Sequence, residues 1–276
     1  ACYDAGHRTA TEAAQAHVRW IFGPVLDLHR LAPETICSPI IANRAFGEEA
    51  MRIIECAGSW IKGVHDGGGF ACGKHFPGHG ACPQDSHVEN AVSFEDPEPH
   101  LVPFRTLAKH LPSMMTGHIE FPMLDEEMRC TSRSPIIMDI LRKDMGYNGV
   151  VVTDSLRMAG FGDGPHEELA AEAIHAGCDL LLDPEDPVVL ATSLRDAMDR
   201  GDLLPDAVER SVKRLESFMA DILNTEAEAP RPLVMGASAK RLLHPLHGGS
   251  PGRTKFPQPE TVLSLAGTPD SIRFLE

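Results

Sequence analysis

Short, unbroken apolar runs alternate with helical stretches along most of this chain, and that alternation limits what it can become. The runs lie near residues 21–28, 70–74, 113–116, 150–154 and 179–182. Between them, residues 50–64 place Ile53, Ile54, Ala57, Ile61 and Val64 at helical spacing. Residues 205–223 do the same with Val208, Val212, Leu215, Met219 and Ile222. A strand that is apolar at every position is buried on both faces, and strands that alternate with helices pair in parallel. The order alone fits a (β/α)8 barrel or a doubly wound sheet.

Local signals set expected helix boundaries. Thr9 and Glu12 form a capping box for a helix reaching about Trp20. Ser134 caps a helix with Pro135 in its first position, and Gly146 closes it. Asp186-Pro187 opens another helix that ends near Gly201. Residues 100–110 read as helical, with Pro103 limiting the start, and residues 167–176 read as a further helix. Beyond about Thr225 the periodicity is lost and Pro/Gly segments such as His247-Gly-Gly-Ser-Pro-Gly252 dominate. The expected organisation is a folded strand–helix unit over 1–224 and a largely irregular extension over 225–276.

Polar and glycine residues gather just after the strands, where barrel enzymes hold their chemistry. The densest case is Gly73-Lys74-His75-Phe76-Pro77-Gly78-His79-Gly80, followed by Asp85-Ser86-His87. Pro77 and the glycines exclude a helix here. A second block is Gly149-Val-Val-Val-Thr-Asp154-Ser-Leu-Arg-Met158, in which Asp154 ends an apolar run. A third is Phe22-Gly-Pro-Val-Leu-Asp27, followed by Asn43-Arg44-Ala-Phe-Gly47. Read alone, Asp154 is an ordinary turn or cap aspartate, His87 a solvated loop histidine and Lys74 a surface amine. His75, His79 and His87 also raise a zinc site, although a Pro-Gly loop is a poor frame for one.

Together these blocks resemble the β-N-acetylglucosaminidases of glycoside hydrolase family 3, in order from about residue 10 to about residue 222. The resemblance implies a TIM-type (β/α)8 barrel, here incomplete, with about five strands recognisable. It places the start of the chain inside the helix before the family's fourth strand, so that two sheet edges and apolar surface are expected to be open. It implies retaining hydrolysis of terminal β-linked N-acetylglucosamine from cell-wall fragments or related oligosaccharides. By position, Asp154 is the nucleophile, His87 the acid/base and Asp85 the partner that fixes the His87 tautomer. Arg44, Lys74 and His75 match sugar-binding positions; Asp27 and His118 follow strands and are further pocket candidates. Histidine suits acid/base work because its ordinary pKa lies near neutrality. The resemblance implies no cofactor and no metal. Other readings are a β-glucosidase or β-xylosidase of the same family and a truncated, inactive sugar-binding homologue. Transfer to phosphate in place of water is chemically open as well, since a histidine acid does not repel an incoming anion.

Composition narrows the partners. The formal charge of −15 opposes binding to nucleic acid, which needs a basic field. No apolar run approaches the roughly 18 residues of a membrane span. Seven cysteines with no C-x-x-C pair suggest reduced thiols and a cytoplasmic setting. The expected partner is a small carbohydrate; nothing in the sequence bears on oligomeric state.

Overall fold

The computed structural model describes residues 1–29, 38–80 and 82–225. Helix α1 (Cys2–Gln15) leads into β1 (Trp20–Ile21), α2 (Ala50–Asp66), β2 (Phe70–Phe76) and β3 (Ala91–Val92). Next come α3 (Pro97–Leu107), β4 (Ser113–Thr116), β5 (Ile119–Glu120), α4 (Pro135–Asp139) and β6 (Val150–Ser155). The last elements are α5 (His166–Ala176), β7 (Leu180–Leu182), α6 (Pro187–Arg200) and α7 (Pro205–Asn224). Five strands form one sheet in the order β1-β2-β4-β6-β7. Every neighbouring pair in it is parallel, with Trp20 opposite Phe70, Ser113 opposite Val150 and Val152 opposite Leu180. The order never reverses along the chain. A doubly wound sheet would reverse, so the winding is that of a TIM-type barrel, present as five strands among the described residues.

The two faces of the sheet are packed differently. Ala71, Met114 and Val151 face the helical layer and share a core with Ile53, Ala57 and Ile61 of α2 and Leu101 and Phe104 of α3. One residue further along each strand, Cys72, Met115 and Val152 turn to the opposite face. There they meet Trp20, Leu180 and Leu182, which are only partly buried. Helix α7 reaches across this region. Ser211 donates to the Cys178 carbonyl at 3.4 Å and Arg214 pairs with Asp179 at 2.9 Å. At its other end Phe218 packs edge-on against Trp20 and Phe70, with ring centroids 5.0 and 5.7 Å apart. β1 and β7 are the outer strands of this sheet.

Several local expectations need correction. Thr9 does not cap a helix: it lies inside α1, and its hydroxyl donates back to the Ala5 carbonyl. The helix stops at Gln15 and not near Trp20. The apolar run at 21–28 forms a ladder only at Trp20–Ile21, plus an isolated bridge from Val25 to Lys74. Helix α3 begins at Pro97, three residues before the expected start, because Asp96 accepts the Glu98 amide and Pro97 takes the first helical position. Pro103 is tolerated inside it. Ser134 caps α4 as expected, and Gly146 follows at φ +62°. β3 and β5 were too short to read from sequence. They pair in parallel, Ala91 with Ile119 and Val92 with Glu120, and so join the loops that leave β2 and β4. The extension from 226 onward lies outside the described residues.

Phe218 is the largest α7 side chain held against the strands and is 5% exposed. Phe218→Ala is expected to lower stability by about 3–5 kcal/mol in urea unfolding, the usual cost of deleting a buried ring. Met219→Ala, at a position 45% exposed, is expected to change it by less than about 0.5 kcal/mol.

Candidate active site

Strand periodicity places the first two groups. Lys74 lies two residues beyond Cys72, and Asp154 two beyond Val152, so both side chains belong to the face away from the helical layer. Both are half-buried. Burial lowers the Lys74 pKa; the Asp154 carboxylate pulls it back up and the Arg44 guanidinium pushes it further down. Those influences bring three of the sequence-derived residues into one electrostatic neighbourhood. Arg44 itself is exposed, and its Nε and Nη2 donate to the Ile40 carbonyl at 3.1 and 2.8 Å. The Ser155 amide donates to Asp154 Oδ1 at 2.9 Å. That leaves Oδ2 without a hydrogen bond among the described residues.

Asp27 is fully buried and acts as a junction. Its Oδ2 meets His75 Nδ1 at 2.8 Å, and its Oδ1 accepts the His79 amide at 2.6 Å. The His75 amide reaches both oxygens at 3.3 Å. Burial alone would raise the Asp27 pKa, but His75 and the His79 amide outweigh it, and the net shift is downward. Gly80 is required beside this junction. A Cβ there would stand 1.3 Å from the Leu28 carbonyl oxygen, so only a glycine lets the loop pass.

His79 and His118 are buried within hydroxyl networks. His79 Nε2 lies 2.9 Å from Ser86 Oγ and Nδ1 lies 3.3 Å from Ser38 Oγ. His118 Nε2 donates to the Ser155 carbonyl at 3.0 Å, which leaves Nδ1 to accept from Ser132 Oγ at 2.9 Å. Ser132 in turn accepts from Thr116 Oγ1 at 2.8 Å. His118 therefore supports the segment that carries Asp154 from behind. Burial pushes both histidines down to about 4, against the pull of nearby carboxylates.

His87 is placed quite differently. Its side chain is 57% exposed. Asp85 Oδ1 accepts both its amide, at 2.9 Å, and its ring Nδ1, at 2.7 Å. Those two bonds, the backbone one first, hold the Asp85 pKa low. With Nδ1 committed, Nε2 has no partner among the described residues and is the nitrogen left to exchange a proton. The loop is tied to the segment after Asp154: the Gly160 amide donates to the Ser86 carbonyl at 2.9 Å and the Ala159 amide to the His87 carbonyl at 3.3 Å. Among the described residues, no group of three or more His, Cys, Asp or Glu side chains is disposed to hold a metal ion.

The sequence singled out every ionisable group of this arrangement. Ser86 lies inside the Asp85-Ser86-His87 motif, but not as a partner of His79, and Ser38, Ser132 and Gly160, whose Cβ would press on Ser86 at 3.1 Å, were not singled out. Such partners come from distant loops and carry no periodic signal.

The buried histidines set a pH dependence. Unfolding restores their ordinary pKa near 6.5, so between about 6.5 and 4 the unfolded chain binds more protons than the folded one. Stability should therefore fall as pH drops through that window and level off below it, by on the order of 3 kcal/mol for each histidine. Denaturant midpoints at pH 7.5 and 4.5 measure this, and His118→Gln should remove its own share of the slope.

Comparison with known proteins bears on the fold and the family. The sequence profile of the glycosyl hydrolase family 3 N terminal domain matches residues 1–218. The beta-hexosaminidase of Alkalilimnicola ehrlichii is 37% identical over 203 residues, 70% of this chain and 56% of that protein. The beta-hexosaminidase of Pseudomonas aeruginosa strain PAO1 is 39% identical over 184 residues, covering 64% of this chain and 53% of its own. A family 3 beta-N-acetylglucosaminidase from Paenibacillus sp. str. FPU-7 superposes with a TM-score of 0.77 at 28% identity, over 87% of this chain and 48% of that one. The chain thus spans about half the length of the curated relatives it matches. Profile, relatives and strand winding agree, and the chain belongs to glycosyl hydrolase family 3.

Proposed function

We propose that this chain, or a longer protein that contains it, removes terminal β-linked N-acetylglucosamine by a retaining double displacement. The observation that carries the reading is the Asp85–His87 pair: a carboxylate holds Nδ1, Nε2 is free, and the loop is hydrogen-bonded to the segment following Asp154. Asp154 attacks the anomeric carbon and forms a glycosyl ester as the aglycone departs. His87 Nε2–H protonates the leaving oxygen, then takes a proton from the water that cleaves the ester. Asp85 keeps the ring in the orientation and tautomer that both steps need. Lys74, His75 and Arg44 bind sugar hydroxyls, and Asp27 and His118 shape and support the pocket. No cofactor enters this scheme.

The substrates we propose are peptidoglycan fragments or related oligosaccharides, and the setting is the cytoplasm. The relatives named as hexosaminidases support the sugar. The six free cysteines among the described residues support a reducing compartment. No helix among the described residues is long and apolar enough to cross a membrane.

The two catalytic groups should fail in different ways. Asp154→Ala is expected to abolish turnover of every glycoside. His87→Ala is expected to spare the first step for a nitrophenyl substrate, whose leaving group needs little protonation, and to accumulate the covalent intermediate with a burst of nitrophenol. Added azide should partly rescue His87→Ala and leave Asp154→Ala inactive. Equal losses on activated and unactivated substrates, with no burst and no rescue, would sink the assignment of His87. Proton NMR should show the β-anomer of the sugar first; initial appearance of the α-anomer would refute retention.

A further inference from the structure

We propose that His79 is a positioning residue: a buried brace that couples the loop carrying Arg44 to the loop carrying Asp85 and His87. The proposal rests on the reading of His87 as acid/base given above. Three observations carry it. First, the His79 imidazole is 1% exposed and both of its nitrogens are engaged by hydroxyls from different loops, Ser38 on one side and Ser86 on the other. Second, Ser38 opens the turn that carries Arg44. Its carbonyl accepts the Ala42 amide at 3.2 Å, its Oγ accepts the Ile41 amide at 3.4 Å, and its own amide donates to the Gly80 carbonyl at 3.2 Å. Third, Ser86 sits between Asp85 and His87, is fully buried, and accepts the Gly160 amide through its carbonyl.

The donors can be assigned. Ser38 Oγ already accepts from Ile41, so its proton is free for His79 Nδ1. His79 Nε2–H then donates to Ser86 Oγ. This arrangement needs a neutral ring, and burial keeps His79 neutral at ordinary pH. The His79 amide is held by Asp27, so the brace is anchored to the strand ends as well. The exposed His87 thus hangs between two fixed points, Ser86 inside and Ala159–Gly160 behind. Loss of the Ser86 contact should loosen the acid without touching its proton-transfer nitrogen. Loss of the Ser38 contact should disturb sugar binding.

The test uses the intact chain, or a longer parent that contains it, with two substitutions and two kinds of reading. Amide hydrogen exchange is followed at His87, Ala159 and Gly160. Ser86→Ala is expected to speed exchange there about tenfold while the melting temperature falls by no more than a few degrees, the cost of leaving one buried donor unpaired. In kinetics, Ser86→Ala should lower kcat/KM for chitobiose about tenfold more than for a dinitrophenyl glycoside, well within the roughly hundredfold that an ångström of misplacement can cost. Ser38→Ala should instead raise KM with kcat largely kept. Adding Ser86→Ala to His79→Gln should cost little more than His79→Gln alone, since the ring's contact to Ser86 is already gone, whereas His79→Gln should show the Ser38 effect on KM as well. Unchanged exchange at the three amides in Ser86→Ala overturns the proposal whatever the activity. So does an equal loss on both substrates, which is what a merely structural role would produce. An inactive wild-type protein refutes the glycosidase reading instead, and the exchange measurement then decides the brace by itself.

Discussion

The buried carboxylate of Asp27 is the interaction on which the candidate site depends. A fully desolvated aspartate is costly unless its charge is met, and here it is met by the imidazole and amide of His75, near the end of β2, and by the amide of His79 in the loop that follows. Those contacts tie the segment after β1 to the end of β2 and to the loop that follows it. β1 contributes only two paired residues; beyond them the Cys72 and Lys74 amides donate to the Gly23 and Pro24 carbonyls, and the Leu26 amide to the Lys74 carbonyl. Without Asp27 the His75 ring and the His75 and His79 amides would lose their shared acceptor, and the His79 contacts to Ser38 and Ser86 would lose part of their frame.

A second buried carboxylate does similar work at the other end of the strands. Asp179 pairs with Arg142 and Arg214 and accepts the Val151 amide at 2.8 Å. Arg142 also donates to the carbonyls of Tyr147, Gly149 and Gly177, which gathers the turns entering β6 and β7. A fork of fixed donors suits this task in a way that a lysine would not. Between these two anchors the sheet is held by apolar packing. Removing either aspartate would leave neighbouring donors or cations unpaired in the interior, a larger penalty than losing a surface pair.

The two histidines that flank the site illustrate how one residue type is put to opposite uses. His118 is enclosed, its tautomer set by a carbonyl and a serine chain, and it stays neutral. His87 stands in solvent with one nitrogen held and the other open. Burial and partners, not residue identity, separate the enclosed support from the histidine proposed to carry the proton. The same contrast separates Lys74, whose amine is partly desolvated beside Asp154, from the exposed lysines of α2 and α7, which pair with carboxylates one helical turn away.

The strand–helix order was legible because each strand is apolar on both faces and each helix on one, and such patterns need only neighbouring residues. Ser113–Thr116 and the Ser134-Pro135 cap were readable for that reason. The ionisable members of the site were legible as well, since all but His118 cluster in three short motifs and His118 follows an apolar run. Other features were not. Thr9 was misread as a cap because a threonine hydroxyl can satisfy a backbone carbonyl inside a helix as readily as an amide at its end. β3 and β5 carry only two paired residues each, too few for periodicity to register. The hydroxyl partners of His79 and His118 lie 7 to 41 positions from them in the sequence, and only chain folding brings them into contact. The sequence by itself determined which elements form and which groups could do chemistry. The tertiary structure decided which of those groups are buried, which nitrogen of each histidine is free and which loops are hydrogen-bonded together, because desolvation and hydrogen-bond partnership are properties of the packed chain and not of any residue along it.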